Sequence, residues 1–364
     1  MASKLPTLLI IPTGIGCSQG GFAGDAIPSA RLLAAASGCL ITHPNVMNGA
    51  ALYWNDPRIQ YVEGYGLDLF LKGAIALRPV RQQKVGLLLD AGVEPDLKER
   101  HIQVAEGCRA TLGLNIGPVI TTEVPLKIVL EQGRSGVSWG GIAEVDVLLR
   151  AGDKLKQAGA TAIAVVSRFP DDIDSAAIDQ YRRGQAVDAI AGAEAVISHL
   201  LVRHLSLPCA HAPAMSPIPL AFGVDPRAVA EEVGYTFLAS VLVGLSRAPD
   251  LVSLNNGHLP GIFNASEILH VDQLGAVVAP EGALGGEGIL ASLERSIPVI
   301  AVSNSNALNV SVEALGLKSN DSFDGRISVI HATNYVEAAG LILLLREGIS
   351  LESLYRPISH IDQI

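Results

Sequence analysis

The chain reads as an α/β protein: mostly parallel sheet flanked by helices, doubly wound and arranged in two lobes. Three observations predict this. Short apolar runs alternate with helix-patterned stretches along the whole length. Most of the runs are apolar throughout rather than alternating, which marks strands covered on both faces. Glycines gather where such runs give way to helices. A chain of 364 residues has room for two ordinary domains or one large α/β unit.

The predicted strands follow in order. They are "TLLIIP" (7–12), "CLITH" (39–43), "KVGLLLD" (84–90), "GPVITTE" (117–123) and "TAIAVVSR" (161–168). Then come "LPCAHA" (207–212), "DLVSL" (250–254), "GAVVAP" (275–280), "IPVIAVS" (297–303) and "RISVIHA" (326–332). Helical spacing of apolar residues predicts helices over 142–159, 186–205 and 225–246, the first stopping on a glycine. The Gly/Ser-rich stretch "EQGRSGVSWGG" (131–141) is the best hinge candidate, so the lobes are placed at 1–135 and 136–364. A second glycine stretch, "APEGALGGEG" (279–288), echoes the one that follows the first strand.

Composition excludes several classes. At 49% hydrophobic and 17% charged, the chain is not a disordered one. No unbroken apolar run of about 18 residues occurs, so a membrane span is not expected. The N-terminus runs into a strand signal without a small-residue cleavage site, which predicts a cytoplasmic protein. A net charge of −10 argues against nucleic acid and anionic lipid as partners. Four cysteines, far apart and without a CxxC, read as thiols of a reducing compartment. The apolar helix at 337–346 is a core element first, with a homo-oligomer interface as its alternative use.

Chemistry is expected where strands end. Ligands of open α/β sheets bind outside the carboxyl edge. Seven of the twelve asparagines follow predicted strands, among them Asn45, Asn255, Asn256, Asn304 and Asn306. Single asparagines at such places also serve turns, but the doubled "NN" and "SNSN" exceed what a cap needs. Between the first strand and its helix lie Gly14, Gly16, Gly20 and Gly21, with Ser18 among them. Bare amides before a helix suit a phosphate or carboxylate. The spacing is neither GxGxxG nor a P-loop, which weighs against NAD and ATP. Asp25 is placed as a cap for the helix that follows.

His43, His211, His258 and His331 stand at strand exits as acid–base candidates. Asp90, Glu123 and Glu281 are the carboxylates in equivalent places, and Arg168 is the best cation for an anion. Cys17 and Cys209 also suggest a thiol pair of the racemase kind, against the ordinary reading of inert buried thiols. No metal-ligand spacing is present, and "FPDDID" reads as an acidic helix start.

The segments "PTGIGCSQGGFAGDA", "ITHPNVMNGA", "YVEGYGLD" and "SNSNALNVSVEALG" resemble a family known as domain of unknown function 3326, found largely in cyanobacteria and plants. The resemblance covers nearly the whole chain. It implies a cytosolic or plastid-stromal setting and brings no activity, cofactor or catalytic residue. Together, the residues predict an enzyme acting on a small anionic metabolite by isomerase, lyase or hydrolase chemistry. The glycine loop and asparagine amides would bind the ligand. His43, Asp90, Glu123, His258 and Glu281 would be the candidates for moving protons. A non-catalytic metabolite sensor and a scaffold or assembly protein are the alternatives.

Overall fold

The computed structural model describes the chain apart from residues 1–3, 50–55, 133–136, 172–174, 218, 233–236, 255–258, 260–263, 265–266, 305–307, 318–328, 359 and 361–364. Two parallel sheets carry the architecture. The first holds β1 (Thr7–Leu9), β2 (Leu40–Thr42), β3 (Ile59–Tyr61), β12 (Ala276–Pro280), β13 (Val299–Val302) and β14 (Val329–Ala332). Its six strands lie in the order β14-β13-β12-β1-β2-β3. The second, of four strands, holds β5 (Val85–Leu89), β6 (Ile116–Thr121), β9 (Ala162–Arg168) and β10 (Cys209–Ala214), in the order β10-β9-β5-β6. Two antiparallel ribbons complete the strands. β4 (Ile75–Arg78) pairs with β11 (Asp250–Ser253), and β7 (Ile128–Gln132) pairs with β8 (Ser138–Ile142).

Every predicted strand falls on an observed one, but they sort differently from a split at 135. The six-stranded sheet, built from both ends of the chain, forms one lobe, and the four-stranded sheet, from its middle, the other. β5 and β6 lie before residue 135 yet share a sheet with β9 and β10 beyond it. The proposed hinge is the β7–β8 hairpin. The strand at 250–253 leaves the main sheets for a ribbon with β4.

The helices follow local chemistry. α1 (Ile27–Ser37) carries Pro28 in its first turn, where a missing N–H is harmless, and ends on Gly38 at φ +76°. Short α2 (Pro44–Met47) follows β2, and α3 (Gly64–Leu71) follows β3. α4 (Pro95–Leu112) and α5 (Val145–Gln157) flank the second sheet, as does α7 (Ala191–Leu205) after the short α6 (Ser175–Arg182). The helix predicted over 225–246 is two helices, α8 (Pro226–Glu232) and α9 (Leu238–Leu245). α10 (Glu287–Glu294) and α11 (Tyr335–Glu347) return to the first sheet. Among the described residues no helix is long and apolar enough to cross a membrane.

Strand alternation explains why the strands read as continuous apolar runs. Leu9 and Leu87 enter one large core that joins the facing sides of both sheets through Leu33, Leu242 and Ile342. Leu8, one residue earlier, packs on the other side of its sheet with Phe70 and Ile289. Leu88 does the same with Leu148, Ile197 and Leu201 on the four-stranded sheet. Both faces of each sheet are therefore covered. Each fully buried side chain of this kind contributes about 1.5–3 kcal/mol. The result fixes the carboxyl edges of the two sheets as rims from which loops reach into a shared cleft.

Candidate functional site

The rim of the six-stranded sheet gathers several predicted residues, and they bond to one another. The Ile11 N–H donates to His43 Nε2 at 3.0 Å. The Asn304 Oδ1 accepts from the Ser18 N–H at 2.8 Å and from the Ser18 hydroxyl at 2.6 Å. The Gly20 N–H donates to Asp25 Oδ1 at 2.6 Å, while Asn45 Nδ2 donates to the Gly20 carbonyl at 2.8 Å. Asp25 is therefore not a helix cap: α1 is preceded by Ala26 without a side-chain cap. The Gly20 amide of the glycine loop is thus taken by the chain's own carboxylate. Burial pushes Asp25 up to about 6, against the pull of the Gly20 amide and of Arg227.

The glycines serve approach as much as turning. Gly14 has φ +72°, and a Cβ there would collide with Ser138 Oγ. Gly16 faces Val187 in the same seam, and Gly21 lies tight against the Cys17 carbonyl. The loop is thus pressed onto β8 and the start of α7, where the lobes meet.

His43 is buried, and desolvation holds its ring down to about 4. An Nε2 that accepts from an amide carries no proton, so the ring is neutral and structural at pH 7. Three other predicted residues are engaged elsewhere. Asp90 accepts from the amides of Gly92, Leu126 and Arg168 at 2.8, 2.9 and 3.0 Å, stitching three loops together. Glu123 is a surface carboxylate paired with Arg150 and Lys154. Arg168 is neutralised by Glu94 and Asp171. Glu281 stands 3.5 Å from His331 on the six-stranded rim. Asn255, Asn256, His258 and Asn306 lie outside the described residues. Cys17 and Cys209 are buried, and burial raises the Cys209 thiol well above its ordinary value, the reverse of an activated nucleophile.

A different set of groups surrounds the cleft between the lobes. This cavity, of about 120 Å³, is lined from one side by His43, Asn45, Asn48 and Glu63 and from the other by Asp188, Glu194, Ser198 and His211. Of the residues predicted as site candidates, His43, Asn45 and His211 reach it. Glu194 and Ser198 are one turn apart on α7, hence on one face. His211 comes from β10 opposite. The Ser198 Oγ lies 2.6 Å from His211 Nδ1, and His211 Nε2 lies 3.4 Å from Glu194 Oε1. The first contact is a closed hydrogen bond; the second is too long for one. Nδ1 is therefore pinned, and Nε2 and the Glu194 oxygen remain open to a third atom.

Two further carboxyls in this cleft are desolvated. Glu63 precedes α3, and its Oε2 accepts from the Tyr65 N–H at 2.9 Å. Burial nonetheless pushes it up to about 8, past the lowering effect of the Tyr65, Gly66 and Gly64 amides. Asp188 accepts from the Ile190 N–H at 3.0 Å at the start of α7. Its carboxyl is raised by burial first and by the charge of Glu194 second. Burial therefore favours the protonated form of these two carboxyls, a condition typical of acid–base sites. Among the described residues, no three His, Cys, Asp or Glu side chains converge on a metal position.

Glu63, Asp188, Glu194 and Ser198 went unpredicted. The first follows β3, a strand of three residues whose signal is "IQY". Asp188 sits within a stretch read as helix interior, although α7 begins only at Ala191. The acidic residue just ahead of a helix was the available signal.

A family model described as "Protein of unknown function (DUF3326)" matches residues 6–355. An uncharacterised lipoprotein of a Synechococcus strain is 48% identical over 355 residues, covering 97% of this chain and 94% of that protein.

Proposed function

The chain belongs to the DUF3326 family, and we propose that it is an enzyme that moves protons on a compact polar metabolite held between its lobes. The carrying observation is the line from Ser198 through His211 to Glu194, with Asp188 and Glu63 desolvated around the same cavity. In this reading Ser198 orients the imidazole, and His211 Nε2 exchanges a proton with the ligand. The Asp188–Glu194 pair supplies or stores the matching proton. A base and a proton donor facing one cavity serve isomerase, lyase and hydrolase steps alike.

The ligand class shifts with the site. Among the described residues the cleft lining holds no Lys or Arg for a phosphate, and the glycine-loop amides of Ser18 and Gly20 are already bonded to Asn304 and Asp25. A neutral or cationic reacting group, such as a hydroxyl, carbonyl or amine, fits the cleft. About 120 Å³ suits a compact molecule, being below the common range for ligand pockets.

A thermal-shift screen of small hydroxy, oxo and amino compounds tests this, followed by assay of each hit for conversion. The expected result is a stabilising compound that is converted by the wild type and not by His211→Gln. A compound bound but never converted would make the chain a sensor; hits indifferent to His211→Gln and Glu194→Gln would overturn the site.

We also place the chain in the cytoplasm. Its four cysteines are all buried thiols, as a reducing compartment favours. If Cys17 became an acylated N-terminus, residues 1–16 would be removed, and with them β1, which pairs with both β2 and β12 inside the six-stranded sheet. Intact-mass analysis of the native chain should find Cys17 unmodified in the soluble fraction; acylated Cys17 in membranes would contradict this.

A further inference from the structure

We propose that a second pocket, separate from the interlobe cleft, binds a small organic anion with an apolar portion. It lies between β3, the turn after β4 and the end of α9, with a volume of about 390 Å³. That is within the range of ordinary ligand sites. Its floor is apolar, from Met47, Ile59 and Val243, with the Tyr61 ring forming one wall. Gly244 lets that ring lie flat against α9, since a Cβ there would come within 2.5 Å of the ring edge.

The charges at this pocket are lopsided. Its one carboxylate, Asp56, is engaged by the Arg58 guanidinium through two bonds of 2.9 and 2.6 Å. The fields of Arg58 and Arg31 hold Asp56 below its ordinary value. Arg81 and Arg247 also line the pocket, are exposed, and have no carboxylate partner among the described residues. Two uncompensated guanidiniums over an apolar floor are unusual in a chain of net charge −10. Guanidinium forks match carboxylate and phosphate oxygens, and the floor takes the rest of the molecule.

The pocket also touches the cleft through one bond. The Tyr61 hydroxyl donates to Asn48 Oδ1 at 2.8 Å, and Asn48 lines the cleft on the other side of α2.

The test is isothermal titration of the full chain with phenyl phosphate, and with benzoate and inorganic phosphate to separate the two anion chemistries and the apolar part. The expected result is saturable one-to-one binding, tighter for phenyl phosphate or benzoate than for inorganic phosphate. Arg81→Ala and Arg247→Ala should each weaken it about tenfold, as for one lost charge-assisted hydrogen bond. Both arginines are exposed and have no ion-pair partner among the described residues, so the variants should keep the wild-type melting temperature. His211→Gln should leave binding intact, which keeps this outcome independent of the cleft chemistry. No saturable binding of any of the three probes would overturn the proposal. Binding indifferent to both arginines, or lost in His211→Gln, would do the same.

Discussion

The glycine-loop rim and the interlobe cleft are both made of polar residues at strand exits, yet they differ in what those residues leave over. On the rim most polar groups meet a partner from the same rim, Ile11 with His43, Ser18 with Asn304, Gly20 with Asp25 and Asn45, while the buried Asn304 Nδ2 has none among the described residues. In the cleft no Lys or Arg among the lining residues faces the carboxyls, and burial pushes Glu63 and Asp188 up. Polar residues at a carboxyl edge thus build scaffold where they satisfy one another. They offer chemistry where charge is left unbalanced in a low-dielectric space.

The sharpest way to break this comparison is to exchange the roles of two histidines. His211→Gln should lower turnover about 10²–10⁴-fold, the usual worth of a positioned acid–base group, with the fold retained. In His43→Ala the loss should appear as stability instead. The buried Ile11 amide loses its acceptor and a cavity opens, for roughly 2–4 kcal/mol in urea denaturation. Loss of turnover without loss of stability in His43→Ala would merge the two regions.

A pH series sharpens the comparison next. Glu63 is raised from 4.5 to about 8 in the folded chain. The folded state then binds more protons than the unfolded state between those values, so stability falls as pH rises through that window. Glu63→Gln keeps an acceptor for Tyr65 without the charge. Relative to wild type, it should gain roughly 2–4 kcal/mol between pH 5 and pH 8, one pKa unit being worth about 1.4 kcal/mol. His43 works in the opposite sense: its folded value near 4 means stability present above its ordinary 6.5 is lost as pH falls towards 4. An unchanged pH slope in Glu63→Gln would place its carboxyl in water.

The smallest effect is expected from Ser18→Ala. It removes the hydroxyl bond to Asn304 at an exposed place while the backbone bond stays, for about 0.5–1.5 kcal/mol. A loss several times larger would mean that the loop is held mainly through this one side chain.

Much of the fold was legible because parallel strands covered on both faces must be apolar throughout. "AIAVVSR" (162–168) shows this, with Ile163 in one core and Ala164 in another. β3 was missed because three residues carry too little signal, and β8 because its glycines resemble a loop. Lobe membership was hidden because it depends on which strands pair, and β5 pairs with β9 across more than seventy residues of chain. The site was legible only as an edge. His43, Asn45 and His211 reach the cleft, whereas Asp90, Glu123 and Arg168 are consumed by amides or opposite charges nearby. Residue type announces polarity, but only packing decides whether a partner is present. Ser198 and His211 meet by the crossing of a helix and a strand that no spacing encodes.

The central claim is that carboxyls in the cleft hold protons at neutral pH. An isotope-edited NMR titration of the side-chain carboxyl carbons of Glu63 and Asp188 in the full chain tests it directly. The account predicts that both titrate above the ordinary range, Glu63 near 8. Midpoints near the usual carboxylate value of about 4 for both would contradict it.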